Sequence, residues 1–304
     1  MKEAMPLRGL WTALLTPVAD GGGVDLGRFV AHARGLLERG VDGVMPFGTT
    51  GEGPCFPMAE RERGLEALLS AGIPPERMLA ATGCAAFTDT LALTRHALAI
   101  GVPRCMVLPS FWWKGLTDEA VFRYYAALID ALGDARLRLY LYHIPQVSGV
   151  PISPEVLARL DSAYPGQVAG VKDSGGDYAH TARFLECAPR LAVLSGYEPH
   201  LPRLMREGGA GAISGISNLI PEWVAALLGP EVNLEDQARV RDFLGFMEAY
   251  PYLPACKAIQ AAQSGDERWL APMPPMLPLE EWERSSLTGD LAGITRVHHG
   301  GSGL

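Results

Sequence analysis

Only four of the 26 basic residues are lysines, Lys2, Lys114, Lys172 and Lys257, in a chain that otherwise uses arginine. Lys172 closes the apolar run Val168-Ala169-Gly170-Val171. A lysine whose stem lies against an apolar interior has a partly desolvated amine, and desolvation disfavours the ammonium form. The neutral amine attacks carbonyl carbons, chemistry closed to arginine because it keeps its proton. A second apolar run ends at Tyr142, whose phenol can give and take a proton through one oxygen. A third runs into Gly48-Thr49-Thr50-Gly51-Glu52. Consecutive backbone N–H groups and two hydroxyls in that turn suit a carboxylate or phosphate, although the GK[ST] ending of a nucleotide loop is missing. Taken singly, these are a loop lysine, a half-buried tyrosine and a tight turn. Taken together, they are an amine, a proton carrier and an anion cradle.

Bringing them together needs a scaffold that collects strand ends. Eight short apolar or β-branched runs recur along the chain: Leu10 to Thr16, Gly43 to Phe47, Met78 to Thr82, Cys105 to Leu108, Leu137 to Tyr142, Val168 to Val171, Leu191 to Leu194 and Ala210 to Ser214. Amphipathic stretches separate them, including Leu26 to Arg39, Thr88 to Ile100 and Asp118 to Leu132. Ser153-Pro154-Glu155 and Thr117-Asp118-Glu119 carry N-cap chemistry, and glycines such as Gly40 and Gly133 stand where helices end. Strand and helix in alternation signal parallel βαβ units. Eight of them predict an α/β fold, a (β/α)8 TIM barrel over residues 8–230, with the active site at the carboxyl ends of the strands. Residues 231–304 read as a helical extension packed on the barrel, with helices over Leu234 to Ala249 and Pro254 to Gln263. A proline-rich irregular stretch, Ala271 to Leu279, follows, and Val297 to Leu304 reads as a frayed tail.

The composition narrows the functional classes. With 304 residues, 48% hydrophobic and 20% charged, the chain has ample material for a large core. A net charge of -8 and scattered basic residues argue against nucleic acid and membrane as partners. Cys55, Cys84, Cys105, Cys187 and Cys256 form no CxxC pair and read as reduced thiols. The first ten residues carry no apolar h-region, which predicts a cytoplasmic protein. His298-His299 is a weak metal signal without neighbouring ligands, and no metal site is expected.

The ordered set Gly48-Thr-Thr-Gly-Glu52, Tyr142-His-Ile-Pro145 with Ser148-Gly149, and Gly170-Val-Lys172-Asp-Ser174 resembles the dihydrodipicolinate synthase and N-acetylneuraminate lyase family. The opening strand Thr12 to Pro17, Ser195-Gly196 and Gly211-Ala-Ile213-Ser214 match as well. The resemblance covers roughly Leu10 to Glu222. It implies a Schiff-base lysine at Lys172, a proton-shuttling tyrosine at Tyr142 and a carboxylate site at Thr49 and Thr50. Gly48, Gly196, Glu198 and Ile213 would complete the substrate site. It also implies a homotetramer built from dimers, a 2-oxo acid such as pyruvate and an aldehyde as small-molecule partners, and no cofactor beyond the covalent bond to Lys172.

Three positions depart from the family. Val147 stands where dihydrodipicolinate synthases hold a substrate carboxylate with arginine, and valine cannot make a bidentate pair. Trp112 aligns with a tyrosine donated across a subunit interface, and is expected either at such an interface or on the acceptor pocket. His143 replaces the usual asparagine. The stretch Gln146-Val147-Ser148-Gly149-Val150 looks more like the sugar-acid lyases and 2-keto-3-deoxy acid aldolases, although Pro199 replaces the second acid of the neuraminate pattern. The leading expectation is an aldolase or lyase acting on a 2-keto-3-deoxy sugar acid or 4-hydroxy-2-oxoglutarate. The alternatives are a 4-hydroxy-tetrahydrodipicolinate synthase, a Schiff-base dehydratase and a non-catalytic 2-oxo-acid binder.

Overall fold

The apolar runs form eight parallel strands in the computed structural model, which describes residues 6–299. They are β1 (Gly9–Ala13), β2 (Gly43–Met45), β3 (Ala80–Ala81), β4 (Arg104–Val107), β5 (Arg138–His143), β6 (Val168–Asp173), β7 (Ala192–Ser195) and β8 (Gly211–Ser214). Neighbours pair in the order β2-β1-β8-β7-β6-β5-β4-β3. Backbone bonds from Leu79 N to Val44 O at 3.0 Å and from Ala81 N to Pro46 O at 3.4 Å close the seam between β2 and β3. The architecture is a (β/α)8 barrel.

Helices α1 (Leu26–Glu38), α2 (Met58–Ser70), α3 (Phe87–Ala99), α4 (Asp118–Leu132), α5 (Pro145–Ser148), α6 (Pro154–Ala163), α7 (Tyr178–Cys187), α8 (Leu201–Arg206) and α9 (Pro221–Ala226) connect and flank the strands. The expected caps are present: Thr117 accepts from Ala120 N, Ser153 accepts from Val156 N, and Gly133 ends α4 with φ 59°. Further along lie α10 (Leu234–Met247), α11 (Tyr252–Ser264) and α12 (Glu281–His299). Val240, Phe243, Ala255, Cys256 and Ile259 of α10 and α11 are buried in the same apolar cluster as the barrel's helix-facing residues. No helix of the described residues is long and apolar enough to cross a membrane.

Several sequence boundaries shift for a physical reason. The chain leaves the regular ladder after Ala13, Met45 and Ala81, yet Leu14, Leu15, Thr16, Phe47 and Thr82 stay buried, so the apolar pattern overshoots strand pairing. The expected tail from Val297 is helical as far as His299, because α12 continues past the packing of Leu287, which is fully buried. Residues 300–304 and the side chains of His298 and His299 lie outside the described residues.

Two apolar cores divide the side chains. One lies between strands and helices; the other fills the barrel and contains Leu7, Trp11, Met45, Leu79, Met106, Tyr140, Tyr142 and Ile213. On β5 the division alternates simply, with Tyr140 and Tyr142 inward and Leu139 and Leu141 outward. On β6 it does not. Leu139 pairs with Val168 but Tyr140 pairs with Gly170, so β6 carries one extra residue. Ala169 belongs to the interior cluster and Val171 to the outer one. Strict alternation from Ala169 would send Val171 inward and residue 172 outward; the bulge reverses this, and Lys172 pairs beside Tyr142.

Gly170 is the residue that permits the bulge. A Cβ there would lie 2.3 Å from Ala192 O and 2.8 Å from the Tyr140 ring, so neither side can yield without moving backbone or a packed aromatic. Gly170→Ala is therefore expected to cost about 1–3 kcal/mol of stability through overpacking. Urea unfolding of the variant measures this, and an unchanged midpoint would show that the strand relaxes around the methyl group.

Candidate active site

Strands β5 and β6 put Tyr142 and Lys172 side by side at the carboxyl end of the barrel. Both are buried, each 4% exposed. Lys172 Nζ donates to the Tyr142 hydroxyl at 3.3 Å and sits 4.4 Å from the centre of its ring. The same hydroxyl lies 3.4 Å from Thr49 Oγ1. One phenolic oxygen thus bridges the amine and the anion turn, which unites three elements far apart in sequence.

The turn itself is tightly determined. Phe47 and Glu52 flank it with φ of 61° and 54°, left-handed values that non-glycine residues adopt only when their surroundings hold them. Gly53 N bonds to Gly48 O, Glu52 N bonds to Thr49 O, and Thr16 Oγ1 donates to Gly51 O at 2.7 Å. A Cβ on Gly51 would lie 2.6 Å from Leu14 O, which explains a glycine at the centre. Thr50 is buried beside Thr49. Glu52 points away from the amine and is buried: its Oε2 accepts from Met273 N at 2.6 Å, and its Oε1 pairs with Lys257.

The other expected site residues fall into two groups. Gly196, after β7, adjoins the amine: a Cβ there would lie 2.6 Å from Lys172 Cε and 2.1 Å from Ser174 Oγ. Ile213 is fully buried in the barrel interior, and Gly48 opens the turn over Met45. Glu198 is buried and its Oε1 accepts from Ser214 Oγ at 2.6 Å. Burial pushes its carboxyl above the ordinary range, opposed by Ser214 and by the charge of Lys172. Trp112 stands apart from these contacts, 68% exposed, and so do Trp113 and Val147 at 68% and 58%. Lys114 ties their two loops together by donating to Ser148 O at 2.7 Å and also to Phe111 O.

Behind the Lys172 and Tyr142 face, the outward residues lock the strand ends. Asp173 accepts from Thr181 Oγ1 and Gly175 N, both at 2.8 Å. His143 stacks on His180 with ring centres 4.3 Å apart, and its Nδ1 accepts from Ile152 N at 3.0 Å. That acceptor role requires an unprotonated Nδ1. Sequence reasoning missed Glu52, Lys257 and Tyr252 as a supporting group. The scarcity of lysine was the available signal, because Lys257 sits amid Ala255, Cys256, Ala258 and Ile259.

The dihydrodipicolinate synthetase family model matches residues 6–292. A protein of Chloroflexus aurantiacus named "Uncharacterized DapA-like lyase" is 37% identical over 295 residues, covering 92% of this chain and 94% of its own length. A 4-hydroxy-tetrahydrodipicolinate synthase of Phenylobacterium zucineum is 32% identical over 219 residues, 72% of each chain. Among solved structures, dihydrodipicolinate synthase from Agrobacterium tumefaciens superposes with a TM-score of 0.89 at 33% identity, covering 95% of this chain and all of that one.

The imidazole behind the site yields a pH prediction. Burial lowers His143 from 6.5 to about 4, with Asp173 opposing the shift. A group depressed in the folded state contributes stability above its unfolded value and loses it on acidification, here between pH 6.5 and about 4. The stability lost across that window is on the order of 3 kcal/mol. His143→Asn takes up no proton, so its melting temperature should fall less steeply than the wild type's across that window. Parallel melting curves would remove His143 as the cause.

Proposed function

This chain belongs to the dihydrodipicolinate synthetase family, and from that premise we propose that it is a Schiff-base lyase joining or separating pyruvate and an aldehyde. The observation that carries the reading is the buried Lys172 amine 3.3 Å from the Tyr142 hydroxyl, which itself lies 3.4 Å from Thr49. The substrates favoured are 2-keto-3-deoxy sugar acids or 4-hydroxy-2-oxoglutarate.

The chemistry follows from the placement. The backbone N–H groups and hydroxyls of Thr49 and Thr50 hold the carboxylate of the 2-oxo acid, which orients its ketone carbon toward Lys172 Nζ. The amine adds to that carbon, and the resulting carbinolamine loses its oxygen as water, with Tyr142 supplying the proton. The iminium withdraws electrons from the adjacent bonds. In the cleavage direction, a proton leaves the C4 hydroxyl, the C3–C4 bond breaks, the aldehyde departs and an enamine of pyruvate remains. Protonation at C3 and hydrolysis then release pyruvate and regenerate the amine. In synthesis the same steps run backward. Gly196 leaves room beside Lys172 Cε for the bound substrate. Glu198, with a raised carboxyl, is suited to hydrogen-bond acceptor hydroxyls near the amine.

A second reading, 4-hydroxy-tetrahydrodipicolinate synthase, is favoured by the names of the relatives in Phenylobacterium zucineum and Agrobacterium tumefaciens. Val147 weighs against it, since an exposed aliphatic side chain stands where aspartate semialdehyde would need a cation.

We further propose that the protein works in the cytoplasm as a homotetramer whose contacts cover Trp112 and Trp113. Exposed indoles side by side are the kind of patch that interfaces bury. Light scattering of a Trp112→Ala, Trp113→Ala variant should report a smaller assembly than the wild type; equal masses would dissociate the tryptophans from assembly.

Borohydride reduction with pyruvate, followed by peptide mass analysis, tests the chemistry directly. An adduct on Lys172 is expected, absent in Lys172→Arg. Tyr142→Phe should retain binding and lose on the order of 10²-fold or more in turnover. No adduct, or an adduct on another lysine, would overturn the proposal. A panel of aldehydes that includes aspartate semialdehyde then separates the two readings.

A further inference from the structure

The Gly48–Glu52 turn is held from outside the barrel at two points, and both supports come from α11. Lys257 is fully buried and pairs with the buried carboxylate of Glu52. Its ammonium also donates to Ala271 O at 2.8 Å, and Glu52 Oε2 accepts from Met273 N, so the pair knits the turn to α11 and to the segment that follows it. Five residues earlier on the same helix, the Tyr252 hydroxyl reaches Thr50. The two oxygens meet beside Gly215, where a Cβ would lie 2.1 Å from the Tyr252 hydroxyl and 2.8 Å from Thr50 Oγ1. Tyr252 is 41% exposed overall, but its hydroxyl end turns in to this contact.

We propose that Lys257 and Tyr252 are positioning residues for the substrate carboxylate, holding Thr49 and Thr50 in register with Lys172 through Glu52 and Thr50. The inference rests on the Schiff-base reading above. Its physical basis is the backbone of Glu52, which has φ 54°. A strained residue keeps such a conformation only while its surroundings fix it, and its carboxylate is fixed by one cation and one backbone N–H. Without the cation, the turn gains freedom two residues from Thr50, where misplacement of even an ångström weakens substrate orientation.

Removing only Lys257 would strand a buried carboxylate and mix folding with function. The informative variants are therefore Glu52→Gln with Lys257→Met, which removes both charges, and Tyr252→Phe. In each, the pyruvate concentration that half-saturates borohydride trapping on Lys172 should rise by about tenfold to a hundredfold, and KM should rise more than kcat falls. Trapping with acetone, a ketone without a carboxylate, should change little. The double variant should keep the deficit even if its melting temperature matches the wild type's, an outcome that a purely structural ion pair does not produce. Half-saturation within twofold of wild type, or equal losses with acetone and pyruvate, would overturn the inference while leaving the Schiff base intact. Absence of any adduct in the wild type would instead overturn the underlying reading.

Discussion

The site depends on which face of β6 residue 172 occupies. Strand side chains alternate, so a single-residue slip exchanges the barrel interior for the helix-facing layer. Here an extra residue at Ala169-Gly170 makes that exchange once, and the amine arrives beside Tyr142 instead of among the outer aliphatics. The bulge is accommodated because Gly170 presents no Cβ to Ala192 O and the Tyr140 ring. Asp173, the next residue, then faces outward, where Thr181 and Gly175 fix it. The Lys172 amine and the anchor of its strand are therefore adjacent residues on opposite faces.

Much of this was readable in the sequence, and the boundary of what was not follows from the range of each interaction. The strands were recognisable because each is a short apolar run between cap and turn residues. Lys172 was recognisable because a cation ended such a run. The bulge was not, since Ala169-Gly170 is an ordinary dipeptide whose extra residue is defined only by the partner strand. The support of the turn was equally hidden: Glu52 and Lys257 are far apart in the chain, and no local pattern links them. Helix α12 escaped notice because Leu287 alone among its described side chains is fully buried, which leaves a faint apolar stripe.

The two halves of the proposed substrate site are built on different principles. On the carboxylate side, backbone geometry does the work, with the turn constrained by hydrogen bonds, a central glycine and two left-handed residues. On the proposed acceptor side, a side chain sets the character: the buried Glu198, bonded to Ser214. Rigid backbone suits the part of the substrate shared by all 2-oxo acids, and replaceable side chains suit the part that differs among aldehydes.

Gly196 gives the amine a further property. The Gly196 backbone runs close to Lys172 Cε, and the buried amine donates to the Tyr142 hydroxyl, so the stem is held at both places. A surface lysine forfeits roughly 2 kcal/mol of rotamer freedom when it is pinned. In this barrel that freedom is surrendered as the chain folds, so the covalent step proposed above would not immobilise a long flexible arm a second time.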